Sequence, residues 1–393
     1  MSVQLTDTQW AAVKAIATWY RGGRSTPQVF YLAGYAGTGK STIFRQVLEE
    51  LRGAGLRSHV LATFTGKAAS VLRKKGNYEA RTIHSAIYII DEEVKRPDGE
   101  LPFVLNEFGP ASEADLIALD ECSMVDQQMG EDVLSFGKKV LVMGDPGQLP
   151  PVKGAGFFQK MKPDVMLTEV HRQALESPIL RLATRARQGE QIPLGEVVTE
   201  EFGAARVLPL NKRNEHLVYR EETQPICGVH RVRRTVTSRI RHARGFGGTL
   251  PMAGELIMCG KNDRDLGLFN GMQGRLLAQP EPYERKDGDD AGYSQLVHLD
   301  TLMDDEVRAH EALLTDPWMF MWHVDDQVQQ PRMRKGIQWF DYGYVLTCHK
   351  SQGSEWPDVT VIDDAGSFGE DRHRWRYTAI TRASENLTIL RRA

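Results

Sequence analysis

The residues Gly34-Tyr35-Ala36-Gly37-Thr38-Gly39-Lys40-Ser41 follow the spacing G-x-x-x-x-G-K-[ST]. Glycines at this spacing let backbone N–H groups turn inward and cradle phosphate oxygens at a helix N-terminus. Lys40 then supplies a point charge on the β- and γ-phosphates of a nucleoside triphosphate, and Ser41 a hydroxyl for Mg²⁺. Gly34, Ala36, Gly37, Thr38, Gly39 and Thr42 are the remaining expected nucleotide contacts from this loop. Asp120-Glu121 follows the apolar run Leu116–Leu119. An acid at a strand end facing the loop can hold the metal, and a second beside it can polarise an attacking water. Strand ends also carry acids for capping alone. Gly144-Asp145-Pro146-Gly147-Gln148-Leu149-Pro150-Pro151 reads, taken by itself, as a rigid turn.

These residues need elements that hold them in place. Leu5-Thr6-Asp7-Thr8-Gln9 opens a helix with a Thr-x-x-Gln capping box, and Trp10, Val13, Ile16, Ala17 and Tyr20 repeat at helical spacing until Gly22-Gly23. Val29-Phe30-Tyr31-Leu32 is a strand that breaks into the glycine loop, the context this phosphate motif requires. His59–Ala62 reads as a second strand and Gly66–Lys75 as a basic helix. Leu116–Leu119 and Val140–Met143 are buried-strand runs, each delivering acids at its carboxyl end. Strands alternating with helices predict an α/β fold with a parallel sheet and ligands at the carboxyl ends of its strands.

The pattern restarts after about residue 190, with Pro225–Val229, Tyr344–Leu346 and Val359–Ile362 as further strands. The expected division is a first domain of residues 1–85 and 113–190 and a second of 191–279 and 341–393. An insertion at 86–112 suggests a hairpin, with Ile87–Ile90 and Phe103–Leu105 flanking a Pro97-Asp98-Gly99 turn. A second insertion, 280–340, is rich in charge and tryptophan and is expected to be a small β-barrel.

At 393 residues the chain is long enough for more than one core. A hydrophobic content of 41% and a charged content of 26% are ordinary for a globular protein. No apolar run approaches the ~18–20 residues of a membrane span, and the N-terminus carries no signal-peptide pattern. Cys122, Cys227, Cys259 and Cys348 are scattered without a Cys-x-x-Cys pair, which speaks against a zinc site and a disulfide framework. A reduced, cytoplasmic protein without a membrane partner is expected. The net charge of −3 neither announces nor excludes a nucleic-acid partner, because a local basic groove decides that. Val229–Gly245 holds Arg231, Arg233, Arg234, Arg239, Arg241 and Arg244 with no acid, and fits either a DNA-facing surface or a solvated basic helix.

Two closing segments, Thr347-Cys348-His349-Lys350-Ser351-Gln352-Gly353-Ser354-Glu355-Trp356 and Tyr377-Thr378-Ala379-Ile380-Thr381-Arg382, resemble the last two motifs of superfamily 1 DNA helicases of the RecD/Dda-like branch. The earlier motifs fall in the same order. Thr63-Phe64-Thr65-Gly66-Lys67-Ala68-Ala69 is similar to a Thr-Pro-Thr-Gly-Lys-Ala-Ala turn that grips single-stranded DNA, with Phe64 where proline is usual. Thr82-Ile83-His84 and Leu167-Thr168-Glu169-Val170-His171-Arg172-Gln173 match two more.

The resemblance implies two RecA-like P-loop domains with ATP and Mg²⁺ in the cleft between them. It assigns Gln9 to adenine, Lys40 to the phosphates, Ser41 and Asp120 to the metal, and Glu121 to the attacking water. Gln148 becomes the γ-phosphate sensor, Arg172 and Arg382 the arginines reaching over from the second domain, and Gly353 and Glu355 readers of phosphate and ribose. DNA contacts are implied for Thr63, Phe64, Thr65, Lys67, His84, Pro150, His230, Arg234, Thr347, His349, Lys350 and Ser351. His230 replaces the more usual asparagine or threonine of that segment. The implied partners are single-stranded DNA and duplex junctions, with replication or recombination proteins beside them and a monomer as the working unit. The implied activity is 5′→3′ translocation with duplex unwinding, or single-strand translocation without it, and the compact length is closest to phage Dda-type enzymes.

Overall fold

The computed structural model describes residues 5–392 apart from 75, 78, 91–102, 152–153, 155, 170–176, 200–202, 264–265, 285, 287–294, 305–308 and 322–335. Arg172 and the Pro97-Asp98-Gly99 turn therefore lie outside the described residues.

The first part of the chain forms strands β1 (Val29–Gly34), β2 (His59–Thr63), β3 (Arg81–Thr82), β4 (Tyr88–Ile90), β5 (Phe103–Leu105), β6 (Leu116–Asp120), β7 (Lys139–Gly144) and β8 (Val165–Leu167). Six of them make one parallel sheet in the order β3-β2-β6-β7-β1-β8. Every residue of β1 and β6 is buried, as expected of a sheet covered on both faces. Side chains alternate along β1: Phe30 and Leu32 pack with Val13, Ile16, Ile43 and Val47 of the helices Asp7–Arg21 and Lys40–Gly53. Val29, Tyr31 and Ala33 pack on the other side with Ile83, Val125, Met129 and Val133. The strand order reverses at β1, so the loop after it opens into the crevice where such sheets bind ligands. Strands β4 and β5, both within the 86–112 insertion, form a separate antiparallel pair with Ile89 opposite Val104.

The rest of the chain adds β9 (Gly195–Thr199), β10 (Gly203–Pro209), β11 (Gln224–Cys227), β12 (Leu256–Cys259), β13 (Gln273–Leu276), β14 (Glu281–Pro282), β15 (Val297–Met303), β16 (His310–Asp316), β17 (Gln338–Tyr342), β18 (Leu346–Thr347), β19 (Trp356–Asp363) and β20 (Ala383–Arg391). A second sheet runs β18-β11-β19-β20-β10-β9, parallel except for the edge strand β9. The third sheet runs β13-β12-β17-β16-β15-β14, and an extra β13–β15 pairing closes five of its strands into a ring.

Two boundaries differ from the sequence-based division. The helix Pro178–Gln188 buries Ile179, Leu182, Ala183 and Ala186 in the core of the second sheet, so that domain begins before residue 190. The third sheet already includes β12 and β13, so it starts at Leu256 rather than near 280. The reason is a shared core. Val218, Cys227 and Ile240 of the second domain pack in one cluster with Ile257, Cys259, Leu299 and Phe340, leaving no compositional break in the chain.

Candidate nucleotide and nucleic-acid site

The phosphate loop starts where β1 ends. Gly37 and Gly39 both hold φ of 79°, a left-handed conformation that glycine adopts without strain, and Gly39 caps the helix Lys40–Gly53. A Cβ on Gly34 would lie 2.7 Å from Thr38 Oγ1 and 3.1 Å from Lys40 Cγ, so only glycine fits there. Lys40 Nζ donates to the carbonyls of Gly34 (2.6 Å) and Tyr35 (3.1 Å), holding the ammonium within its own loop. Gln9 is buried: its Oε1 accepts from Thr6 N and its Nε2 donates to Thr38 O at 3.0 Å. The expected base-reading glutamine is thus tied to the loop backbone. Thr42 lies in the first turn of the helix, its N–H on Gly39 O.

The acids stand opposite. Asp120 ends β6, buried, and Glu121 follows with φ 55° and ψ 46°, a left-handed conformation costly for a side-chain-bearing residue. Glu121 N donates to Asp120 Oδ1 at 2.9 Å, which fixes the turn that separates the two carboxyls. Buried Asp145 accepts from Gly147 N and from the Tyr377 hydroxyl. Burial pushes its carboxyl above the usual range, while Lys40 and these hydrogen bonds pull it back. Gln148 is also buried, its Oε1 3.5 Å from Ser123 Oγ. This loop geometry fits a nucleoside triphosphate: a loop turned by left-handed glycines, a lysine held within it, and the buried Asp145 close enough to feel that lysine's charge. Bound Mg²⁺ would supply charge neutralisation at the phosphates, with Asp120 as the described residue placed to hold it.

The second domain reaches this loop through residues whose roles the sequence left unassigned. Tyr377 accepts a hydrogen bond from Ala36 N at 2.7 Å and donates to Asp145, linking the phosphate loop to the β7 loop. Thr378 Oγ1 accepts from Leu149 N at 2.9 Å, and Gln352 Nε2 donates to Leu149 O at 3.0 Å. All three stand in the quoted closing motifs. Their sequence signal was present, but a hydroxyl or amide gives no hint of which loop it will meet. Arg382, the expected second arginine, is part of a network in its own domain. Buried, it donates to Thr378 O, Ser354 O and Thr381 Oγ1, all within its own domain. Gly353, with φ 73°, abuts Ala68 and Thr65 of the first domain instead of the phosphate loop, and Glu355 is exposed.

The expected DNA contacts divide into groups. Phe64, His84, Tyr88 and Phe103 form one aromatic cluster with ring centroids 5.6–6.4 Å apart, and Phe103 is 55% exposed at the β4–β5 pair. Lys67 spans the domains: its ammonium lies 4.6 Å above the Trp356 ring and donates to Gln273 Oε1. His349 makes a hydrogen bond to the Pro150 carbonyl, so these two expected contacts meet across the domains. Burial lowers the affinity of both His349 and Lys350 for protons. The hydroxyls of Thr63 and Ser351 donate to Thr65 O and Cys348 O, and those of Thr65 and Thr347 cap the N-termini of short helices.

The helix His230–Ala243 corrects the reading of its arginines as one basic surface. Arg233 pairs with Asp341 at 2.8 Å and Arg241 with Glu255 at 2.7 Å, all four side chains buried. Arg239 pairs with Glu215, and Arg244 donates to the carbonyls of Tyr219 and Arg220. His230 and Arg231 remain exposed near the N-terminal end. Most of this charge fastens the helix to the third sheet and neighbouring loops.

Residues 4–201 match the AAA domain model, and residues 342–390 match the UvrD-like helicase C-terminal domain. The ATP-dependent RecD2 DNA helicase of Deinococcus radiodurans is 29% identical over 388 residues, covering 90% of this chain and 46% of that protein. The chain belongs to the AAA-domain family, among the RecD/Pif1-like superfamily 1 helicases. The ATP-dependent DNA helicase dda of Enterobacteria phage T4 is 30% identical over 172 residues, covering 40% of this chain and 37% of that one. The chain therefore spans less than half the length of these relatives. Among solved structures, Pif1 helicase from Candida albicans matches with a TM-score of 0.57 at 18% identity, covering 99% of this chain and 94% of that one. Pif1 helicase from Bacteroides in complex with ADP-AlF3 and ssDNA matches at 0.55 and 17%, covering 98% and 92%. These likenesses establish the tandem RecA-like fold of this family member.

Proposed function

We propose that this RecD/Pif1-like chain is an ATP-dependent DNA helicase that moves 5′→3′ along single-stranded DNA and unwinds duplex. One observation carries the coupling. The β7 loop, Asp145–Pro150, touches Tyr377, Thr378, Gln352 and His349 of the second domain, and Asp145 connects onward to the phosphate loop through Tyr377. A change at the γ-phosphate, sensed by Gln148, would move the loop that carries Pro150 into the strand groove. Closure of the cleft brings second-domain cations to the nucleotide, and Glu121 orients the attacking water. The grip of each domain on the strand alternates with that closure.

The strand would run over Thr63–Lys67 and His84 on the first domain, and over His230, Arg234 and Thr347–Ser351 on the second. The β4–β5 hairpin is the proposed pin. Exposed Ile89, Phe103 and Val104 stand beside the His84 cluster, where a base could stack as the duplex parts. The polarity follows from the resemblance to the RecD/Dda branch, and a monomer suffices because both faces of the cleft come from one chain. Duplexes with only a 5′ or only a 3′ single-stranded tail test this reading. Preferential unwinding of the 5′-tailed duplex is expected, and preference for the 3′ tail would reverse the assigned polarity. Shortening the loop between Ile90 and Phe103 is expected to keep DNA-stimulated ATP hydrolysis and abolish unwinding. Loss of both together would make the hairpin a folding element.

A further inference from the structure

We infer that Arg187 is a second-domain cation that reads the γ-phosphate, held in place by a stack on Tyr35; this rests on the nucleotide reading above. Arg187 sits near the end of the helix Pro178–Gln188, which is fixed in the second-domain core by Ile179, Leu182, Ala183 and Ala186. Its guanidinium carbon lies 3.6 Å from the centroid of the Tyr35 ring, inside the phosphate loop of the other domain. The side chain also crowds Gly147 of the β7 loop, where an added Cβ would lie 3.1 Å from Arg187 Cδ. Among the described residues it makes no hydrogen bond or ion pair, although it is half-buried.

A guanidinium has five N–H donors in one plane, and stacking one face on a ring leaves that edge free for two oxygens of a phosphate. Arg187 lines an open cavity of about 320 Å³ together with Tyr35, Ala36, Thr168, Glu169 and Tyr377. Glu169 is exposed and accepts a hydrogen bond from Thr8 Oγ1. At the cavity wall the Ala36 amide donates to the Tyr377 hydroxyl at 2.7 Å, so the second domain already touches the phosphate loop here. Arg382 has Nε, NH1 and NH2 all donating to its own domain, so it is not the described arginine aimed at this cavity.

The test measures the affinities of fluorescent ADP and of a non-hydrolysable fluorescent ATP analogue by titration. Arg187→Ala is expected to weaken the triphosphate by about tenfold to a hundredfold, the range of a lost charge-assisted hydrogen bond. ADP binding should change by less than about twofold on the same scale of affinity. Arg187→Lys, which keeps the charge without the fork, should fall between, and so should Tyr35→Ala, which removes the stack. An unchanged ratio of ATP to ADP affinity in Arg187→Ala, or an equal loss of both nucleotides in Arg187→Ala and Arg187→Lys, overturns the assignment. If the unsubstituted protein binds neither nucleotide, or Lys40→Ala binds both as tightly as it does, the nucleotide reading itself fails.

Discussion

The segments Val29–Gly53 and Gln224–Ala243 repeat one design: a buried parallel strand, a tight turn and a helix starting beside a cation. They differ in what answers the turn. In the first, glycines hold the loop open onto a cavity, and within the described contacts only the Tyr377 hydroxyl approaches Ala36 N from the second domain. In the second, Gly228 N and Val229 N donate to the two carboxylate oxygens of Asp364 at 2.6 and 3.1 Å. An internal acid thus takes the place a phosphate would have, and the arginines that follow pair with Asp341, Glu255 and Glu215. In the second unit the chain supplies its own anion, and in the first no described carboxylate stands on the Ala36 amide.

The largest effects should separate these two units. Lys40→Ala and Glu121→Gln are each expected to reduce ATP hydrolysis by roughly 10²–10⁴-fold, with Glu121→Gln keeping nucleotide affinity. Native turnover in Glu121→Gln would mean that another group orients the water. Arg241→Ala leaves Glu255 buried without its partner and should lower stability by about 3–5 kcal/mol in chemical denaturation. A loss under about 1 kcal/mol would return that arginine to the surface class.

Salt dependence sharpens the comparison further. Each single-strand phosphate contact contributes about 0.7 to the slope of log affinity against log salt. Arg231→Gln, at an exposed position, should lower the slope by about that amount if the strand passes the helix start. Arg239→Gln should leave it unchanged, because Glu215 already neutralises that charge. The smallest effect concerns His349. Burial holds its imidazole below the ordinary value of 6.5, so the unfolded chain binds the extra proton and stability falls as pH drops below that value. His349→Gln should flatten thermal stability between pH 7 and the acidic side of about 6.5, and an unchanged profile would show that this ring does not contribute.

The phosphate loop was legible because its chemistry is local: glycine spacing, a lysine and a preceding strand lie within one short stretch. The β1, β2, β6 and β7 strands were legible because a sheet covered on both faces needs continuous apolar runs. The destination of the arginines was not, since their acids, Asp341 and Glu255, lie far along the chain or beyond the helix. Nor was the start of the third sheet at Leu256, because β12 reads like any other buried strand and its core merges with the second domain. Tyr377, Thr378, Gln352 and Arg187 act through contacts between domains, which neither periodicity nor spacing encodes.

The coupling of cleft to strand is tested most directly by steady-state ATP turnover with and without an unstructured single-stranded oligonucleotide. Turnover should be low alone and rise strongly with DNA, and Glu121→Gln should remove both rates. Turnover that is the same with and without DNA would contradict the account, because the loop joining Asp145 to Pro150 would then carry nothing between the two ligands.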